Sequence, residues 1–273
     1  MMRKRKRSST REMSAAKRRI LGLANNPPNI DLAIQVIAEN LMKDVPHPPT
    51  NLEMLARRLN VSGFEAADMP LSGELQRDGD QFHVVYSSHL PILQRRFTIA
   101  HELGHAVFAM SGPQYPRTGD EVERICDMFA AEFLMPTAVF KSRLRLDLTA
   151  KGLLELSALY KAPLMAVALR AAEFGNLSTF VIEGHEVSWG FGSVRKGPIH
   201  KNNYYLKEAL SKVTASPSGD ITFPISGEIN LADGRLTWQS IANGQQALCV
   251  LRKINPPNTI TSHAFEYPDE LSA

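Results

Sequence analysis

The 273-residue chain has only two cysteines, Cys126 and Cys249. Two thiols form no disulfide framework, which argues against a small secreted scaffold and fits a reducing cytosol. Long apolar runs are missing as well. No stretch approaches the ~20 residues that cross a bilayer as a helix. The basic start is followed only by the short run Ile20-Leu-Gly-Leu-Ala24, whereas a secretory signal needs roughly 7–15 apolar residues. A cytoplasmic protein with no membrane partner is therefore expected. At 273 residues the chain has ample core for one large or two medium domains.

Charge is small in total but unevenly placed. Residues 1–19 hold nine Lys/Arg against the single acid Glu12, a local charge of +8. Since the chain totals +3, the rest carries −5. The basic block is expected to be a solvated tail, residues 1–28, closed by the breaker Asn25-Asn-Pro-Pro28. Its competing reading is an arm that holds nucleic acid through phosphates with salt-dependent affinity. Met13 offers an alternative start that would remove the Arg3–Arg7 run.

Against this background one pentapeptide stands out: His101-Glu102-Leu103-Gly104-His105, an HExxH motif in a run that reads as helix from Pro91 to about Met110. Histidines four apart on a helix lie on one face, so both imidazoles reach one metal ion. Glu102 follows the first ligand and is angled to touch a metal-bound water. Leu93, Phe97, Ala100 and Val107 supply the expected core stripe, with Arg95 and Arg96 facing solvent. Gly104 costs about 1 kcal/mol relative to Ala in a helix; close approach of a neighbouring backbone or strand would require it, while a tolerated glycine is the simpler reading.

A metallopeptidase site needs a third protein ligand and an open position. Residues 121–136 (EVERICDMFAAEFLMP) are apolar at helical spacing through Ile125, Met128, Phe129 and Phe133, and carry Glu123 and Asp127 four apart on one face. Glu123 would complete the metal shell, while Asp127 would accept the second N–H of a ligand histidine and fix its tautomer. The competing reading is a solvated acidic face on an ordinary amphipathic helix.

Together TIAHELGHAVF, ERICDMFAAEFLMP and the preceding LSGELQRDGDQFHVVYSS resemble the ImmA/IrrE family of metallopeptidases, over about Ile30 to Gly175. The resemblance implies a zincin-like fold, His101, His105 and Glu123 as ligands of one Zn2+ (or another divalent ion such as Mn2+), and Glu102 as catalytic acid/base. Asp127 stands where family members typically have Asn, which suits a histidine-orienting role. Cys126 stands where Ala or Cys is common and reads as a small buried hydrophobe. Family members often cleave a helix-turn-helix repressor, which makes such a protein the expected substrate, in a stress-response, mobile-element or toxin–antitoxin/defence setting.

The expected fold class is α+β: a mostly helical zincin-like domain with a small sheet at 29–176, then a smaller β-rich domain at 177–273. Asn29 caps a helix from Ile30 to Met42. After the Pro-rich Val45–Pro49, Thr50 and Glu53 read as the capping box of a helix from Leu52 to Leu59. Two strands flank the turn Arg77-Asp-Gly-Asp80. Val84, Val85 and Tyr86 are the candidate edge for pairing with an extended substrate, as zincins commonly do. His83 and His89 read as scaffold. Tyr115, in the loop between the motif helices, is a candidate oxyanion donor, against the commoner role of packing its ring. Residues 144–175 read as two helices split at Ala162-Pro163, similar to a helix-turn-helix but nearly uncharged, so they are expected to pack on the core. From Thr179 onward short strands alternate with turns, with one helix expected at Asn202–Val213. His185, His200 and His263 are too scattered for a second metal site. The alternatives to a peptidase are a DNA-binding regulator and an interaction protein whose metal is not catalytic.

Overall fold

The computed structural model describes residues 13–110, 119–144, 148–175, 177–184, 186–191, 197–198, 216–225, 232–241 and 245–254. Tyr115, His185, His200, His263, the segment Asn202–Val213 and the first twelve residues lie outside them. The architecture is α+β, with two compact units at 1–175 and 176–273.

The first unit begins with a helix inside the segment read as a tail. Helix α1 (Ala15–Leu23) is capped by Ser14, whose side chain accepts from the Lys17 amide, and it buries Ala16 and Ile20. The charge count concealed an apolar stripe four residues apart, sufficient to dock one face. Lys17 pairs with Glu121 at 3.2 Å, which ties α1 to the helix that follows the HExxH helix. Helix α2 (Ile30–Met42) is capped by Asn29 as expected. Helix α3 (Leu52–Arg58) is capped by Asn51 rather than Thr50. Thr50 is buried and donates instead to the Phe133 carbonyl at 2.6 Å, a tertiary bond that displaces the local capping box.

A three-stranded sheet follows: β1 (Val61–Ala67), β2 (Gly73–Asp78) and β3 (Gln81–Ser87), in the order β1-β3-β2. Asp78 faces Gln81 across the Gly79-Asp80 turn, with Gly79 at φ +58°. Sequence reading missed β1, whose Gly and Ala content gives a weak strand signal and whose parallel partner is distant in sequence. The pairing makes β3 the inner strand, so Val84, Val85 and Tyr86 are no edge: both sides are already bonded. The outer strands are β1 and β2.

Helix α4 (Ile92–Met110) packs on this sheet and against α5 (Asp120–Leu134). Ile99, Ala100, Leu103, Ala106, Val107 and Phe108 are buried on α4. Arg96 does not face solvent: its guanidinium donates to the carbonyls of Thr50 and Lys161, at 2.9 and 3.1 Å. In α5 the buried face is Val122, Ile125, Cys126, Phe129, Ala130 and Phe133. Its three acids in the first turn (Asp120, Glu121, Glu123) complement the positive helix end. Buried Glu132 caps the next helix, α6 (Thr137–Arg143), by accepting from the Thr137 amide and hydroxyl, and it pairs with buried Arg170. Arg170 lies on α8 (Leu164–Gly175), which follows α7 (Ala150–Tyr160) at a bend of 115°. No single helix among the described residues is long and apolar enough to cross a membrane.

The second unit is an antiparallel sheet of β4 (Leu177–Glu183), β5 (Glu186–Phe191), β6 (Gly197–Pro198), β7 (Ser218–Ile225), β8 (Ala232–Ile241) and β9 (Gln246–Ile254). The strand order is β6-β5-β4-β9-β8-β7. Phe180, Ile182, Val187, Leu236, Trp238, Ala247 and Cys249 form its core cluster. The Trp238 indole donates to the Ser216 carbonyl at 3.0 Å, so its polar atom is satisfied.

Candidate metal centre

The site is made by the crossing of α4 and α5. His101 and His105, one turn apart, present rings 5.1 Å apart at 62°, with side chains only 16% and 15% exposed. Gly104, between them on the helix, explains how α5 comes near enough. A Cβ there would lie 3.0 Å from the Cys126 Cα and 3.2 Å from the Cys126 carbonyl. The glycine therefore permits backbone contact between the two motif helices.

That contact brings Glu123 to both rings. Its Oε2 lies 3.1 Å from Nε2 of His101 and 3.5 Å from Nε2 of His105. A four-coordinate zinc with bonds of about 2.0–2.1 Å separates its ligand atoms by about 3.3 Å. The two separations bracket that value, so the donor set fits such an ion.

Asp127, one turn after Glu123, accepts from Nδ1 of His101 at 2.8 Å. With Nδ1 protonated by this bond, the lone pair of Nε2 is left facing Glu123. Burial by itself would lower the pKa of His101, but the Asp127 hydrogen bond and the surrounding carboxylates outweigh it and raise the value. His105 goes the other way: burial and the neighbouring His101 lower its pKa against the pull of Glu123. A neutral imidazole is the form that ligates.

Cys126 competes for the place of third donor, since its sulfur and one nitrogen of each histidine lie within 4.8 Å of one another. The thiol is fully buried, and burial together with Glu123, Glu102 and Asp127 pushes its pKa far up. Glu123, whose side chain is 49% exposed, and Cys126, wholly buried, are thus the two candidates for the third donor beside the histidines.

Glu102 lies near this cluster, interacting with both His101 and Glu123. It is 6% exposed, and burial is the main cause that raises its pKa from 4.5 to about 7. His101 and a backbone hydrogen bond from Leu75 pull the value down, while Glu123 and Glu74 push it up. Leu75 is on β2, which makes β2 the strand beside this carboxylate. Sequence reasoning missed Leu75 and Gly73; the available signal was a glycine opening an edge strand, where no turn needs it. His83 and His89 stay outside the site, with His83 3.4 Å from Glu65 and His89 3.1 Å from Asp68.

Residues 64–172 match a family model described as Peptidase_M78, IrrE N-terminal-like domain. A solved structure described as a Mycobacterium tuberculosis transcriptional regulator is similar at 15% identity. That alignment covers 86% of this chain and 80% of that one, with a TM-score of 0.49. None of the curated proteins matches the sequence.

Proposed function

We propose, from the match of residues 64–172 to an IrrE N-terminal-like Peptidase_M78 domain, that this chain is an intracellular zinc-dependent endopeptidase. The observation that carries the reading is the single Glu123 oxygen facing Nε2 of both HExxH histidines, with a buried carboxylate, Glu102, beside them. His101, His105 and Glu123 would hold the ion. When bound, such an ion acts as a Lewis acid toward a carbonyl and makes water acidic near neutral pH.

The chain's own residues do the rest. Glu102, with a pKa raised by burial to about 7, accepts the proton of the attacking water and returns it to the leaving amine. Asp127 holds the ring of His101 in one tautomer. The outer strand β2, rather than the inner β3, lies next to Glu102, and its outer backbone groups other than the Leu75 amide held by Glu102 are the ones offered to an extended peptide. The two cysteines are free and buried, in keeping with a reducing cytoplasm.

The substrate proposed is a protein, specifically a helix-turn-helix repressor whose cleavage releases stress-response, mobile-element or defence genes. The support here is the family resemblance. Co-expressing the full chain with such a repressor encoded nearby, as wild type and as Glu102→Gln, tests it. Repressor fragments should appear with wild type alone. An intact repressor in both cultures would rule out this substrate, and fragments in both would remove Glu102 from the chemistry.

A further inference from the structure

Strand β2 and helix α4 meet at a glycine. An added Cβ at Gly73 would lie 2.5 Å from the Thr98 methyl, 3.2 Å from Oε1 of Glu102 and 3.3 Å from its Cγ. Thr98 and Glu102 are four apart on α4, so one face of the helix receives the strand. Thr98 is 5% exposed and β-branched, which leaves its methyl little freedom to turn aside. Gly73 has no positive φ among the glycines that do; what requires it is space.

Two residues along, the Leu75 amide bonds the Glu102 carboxylate. In an antiparallel pair the backbone groups of alternate residues leave the sheet, so Gly73 and Leu75 share the open side of β2. Leu75 faces Val84, which is wholly buried, and Gly73 faces Tyr86. The strand is thus held on its inner side by β3 and presses its outer side onto Glu102.

We propose that Gly73 is a positioning residue for Glu102: by bringing β2 into contact with the Thr98–Glu102 face, it fixes where the carboxylate points and keeps the Leu75 amide within reach. This rests on the peptidase reading above. The role differs from that of Gly104, which sets the distance between the two helices.

The test separates crowding of Thr98 from displacement of Glu102. Thr98→Ser removes the methyl that a Cβ would strike first, so Gly73→Ala/Thr98→Ser keeps the fold while leaving the contacts with Glu102. The zinc-loaded full chain is titrated with acetohydroxamate, a chelator whose N–OH proton a neighbouring carboxylate can take. Zinc content and melting temperature are read alongside. The double variant should hold one zinc and melt as Thr98→Ser does, yet bind acetohydroxamate roughly 10- to 100-fold more weakly, the scale of a misplaced acid/base group. Glu102→Gln should weaken binding too, and adding Gly73→Ala/Thr98→Ser to it should cost no more than about twofold further, because coupled residues are not additive. Unchanged acetohydroxamate affinity in the double variant overturns the proposal. So does a full-sized loss that persists in the Glu102→Gln background, which would place the effect elsewhere. Failure of the wild type to bind zinc or acetohydroxamate, or a Glu102→Gln variant that binds like wild type, overturns the peptidase reading itself and the proposal with it.

Discussion

Replacing Glu102 with Gln should stabilise the metal-free protein at alkaline pH while abolishing hydrolysis. Glu102 is 6% exposed, and its pKa is raised from 4.5 to about 7 chiefly by burial. A carboxyl with a raised folded-state pKa favours the fold when protonated. Its stabilising contribution is complete below about pH 4.5 and is lost as pH rises through 7. At 1.36 kcal/mol per pH unit, the difference between pH 4.5 and pH 8 is about 3 kcal/mol. Gln is neutral at every pH, has nearly the same shape and keeps an oxygen for the Leu75 amide. The metal-free variant should therefore match wild type at pH 4.5 and exceed it by about 3 kcal/mol at pH 8. For a domain of this size that is a rise of roughly 6–12 °C in melting temperature. Zinc should shrink the gain, since a nearby cation favours the ionised carboxylate of the wild type. Peptidase activity should fall by at least roughly 10²–10⁴-fold, the usual worth of a positioned acid/base group. The assay is thermal unfolding of both proteins across pH 4.5 to 8.5, with and without chelator. Equal melting temperatures at pH 8 without metal, or a less stable variant, would refute the argument that Glu102 is held in its place against its own charge.

Three further outcomes follow from the same geometry. Glu123→Ala should abolish stoichiometric zinc in elemental analysis, whereas Cys126→Ala should retain it; the reverse order would make the buried sulfur the third donor. Asp127→Ala should weaken zinc affinity roughly 10- to 100-fold and Asp127→Asn much less, since an amide oxygen still accepts from Nδ1 of His101. Competition with a chromogenic chelator measures both, and equal losses would deny the orienting role. Arg170→Met leaves the buried Glu132 carboxylate without its cation and should cost roughly 3–5 kcal/mol in urea unfolding; a loss below 1 kcal/mol would show that Thr137 suffices as its partner.

What could be read from the sequence was what repeats along one element. His101 and His105, and Glu123 and Asp127, are each a pair four apart on a helix, and so are legible without knowing any partner. Asn29 and the turn at Gly79 are equally local. What could not be read was set by contacts between distant segments. Thr50 has good capping chemistry but spends its hydroxyl on Phe133, 83 residues away. Arg96 looks like a surface residue until the carbonyls of Thr50 and Lys161 are placed around it. In α1 the charge count hid an apolar stripe. The misassigned sheet edge has the same origin. Val84 to Tyr86 have the β-branched and aromatic character of a strand, but whether a strand lies inside a sheet depends on its neighbours, and β1 gave almost no signal. Once β1 pairs with β3, the outer strands are β1 and β2, and the one beside Glu102 is β2, a poorer strand by composition. There a glycine, unremarkable in sequence, becomes the residue on which the placement of Glu102 turns. The HExxH spacing is legible along one helix, whereas the surroundings of Glu102 depend on a strand from a separate segment, β2, whose glycine meets that helix.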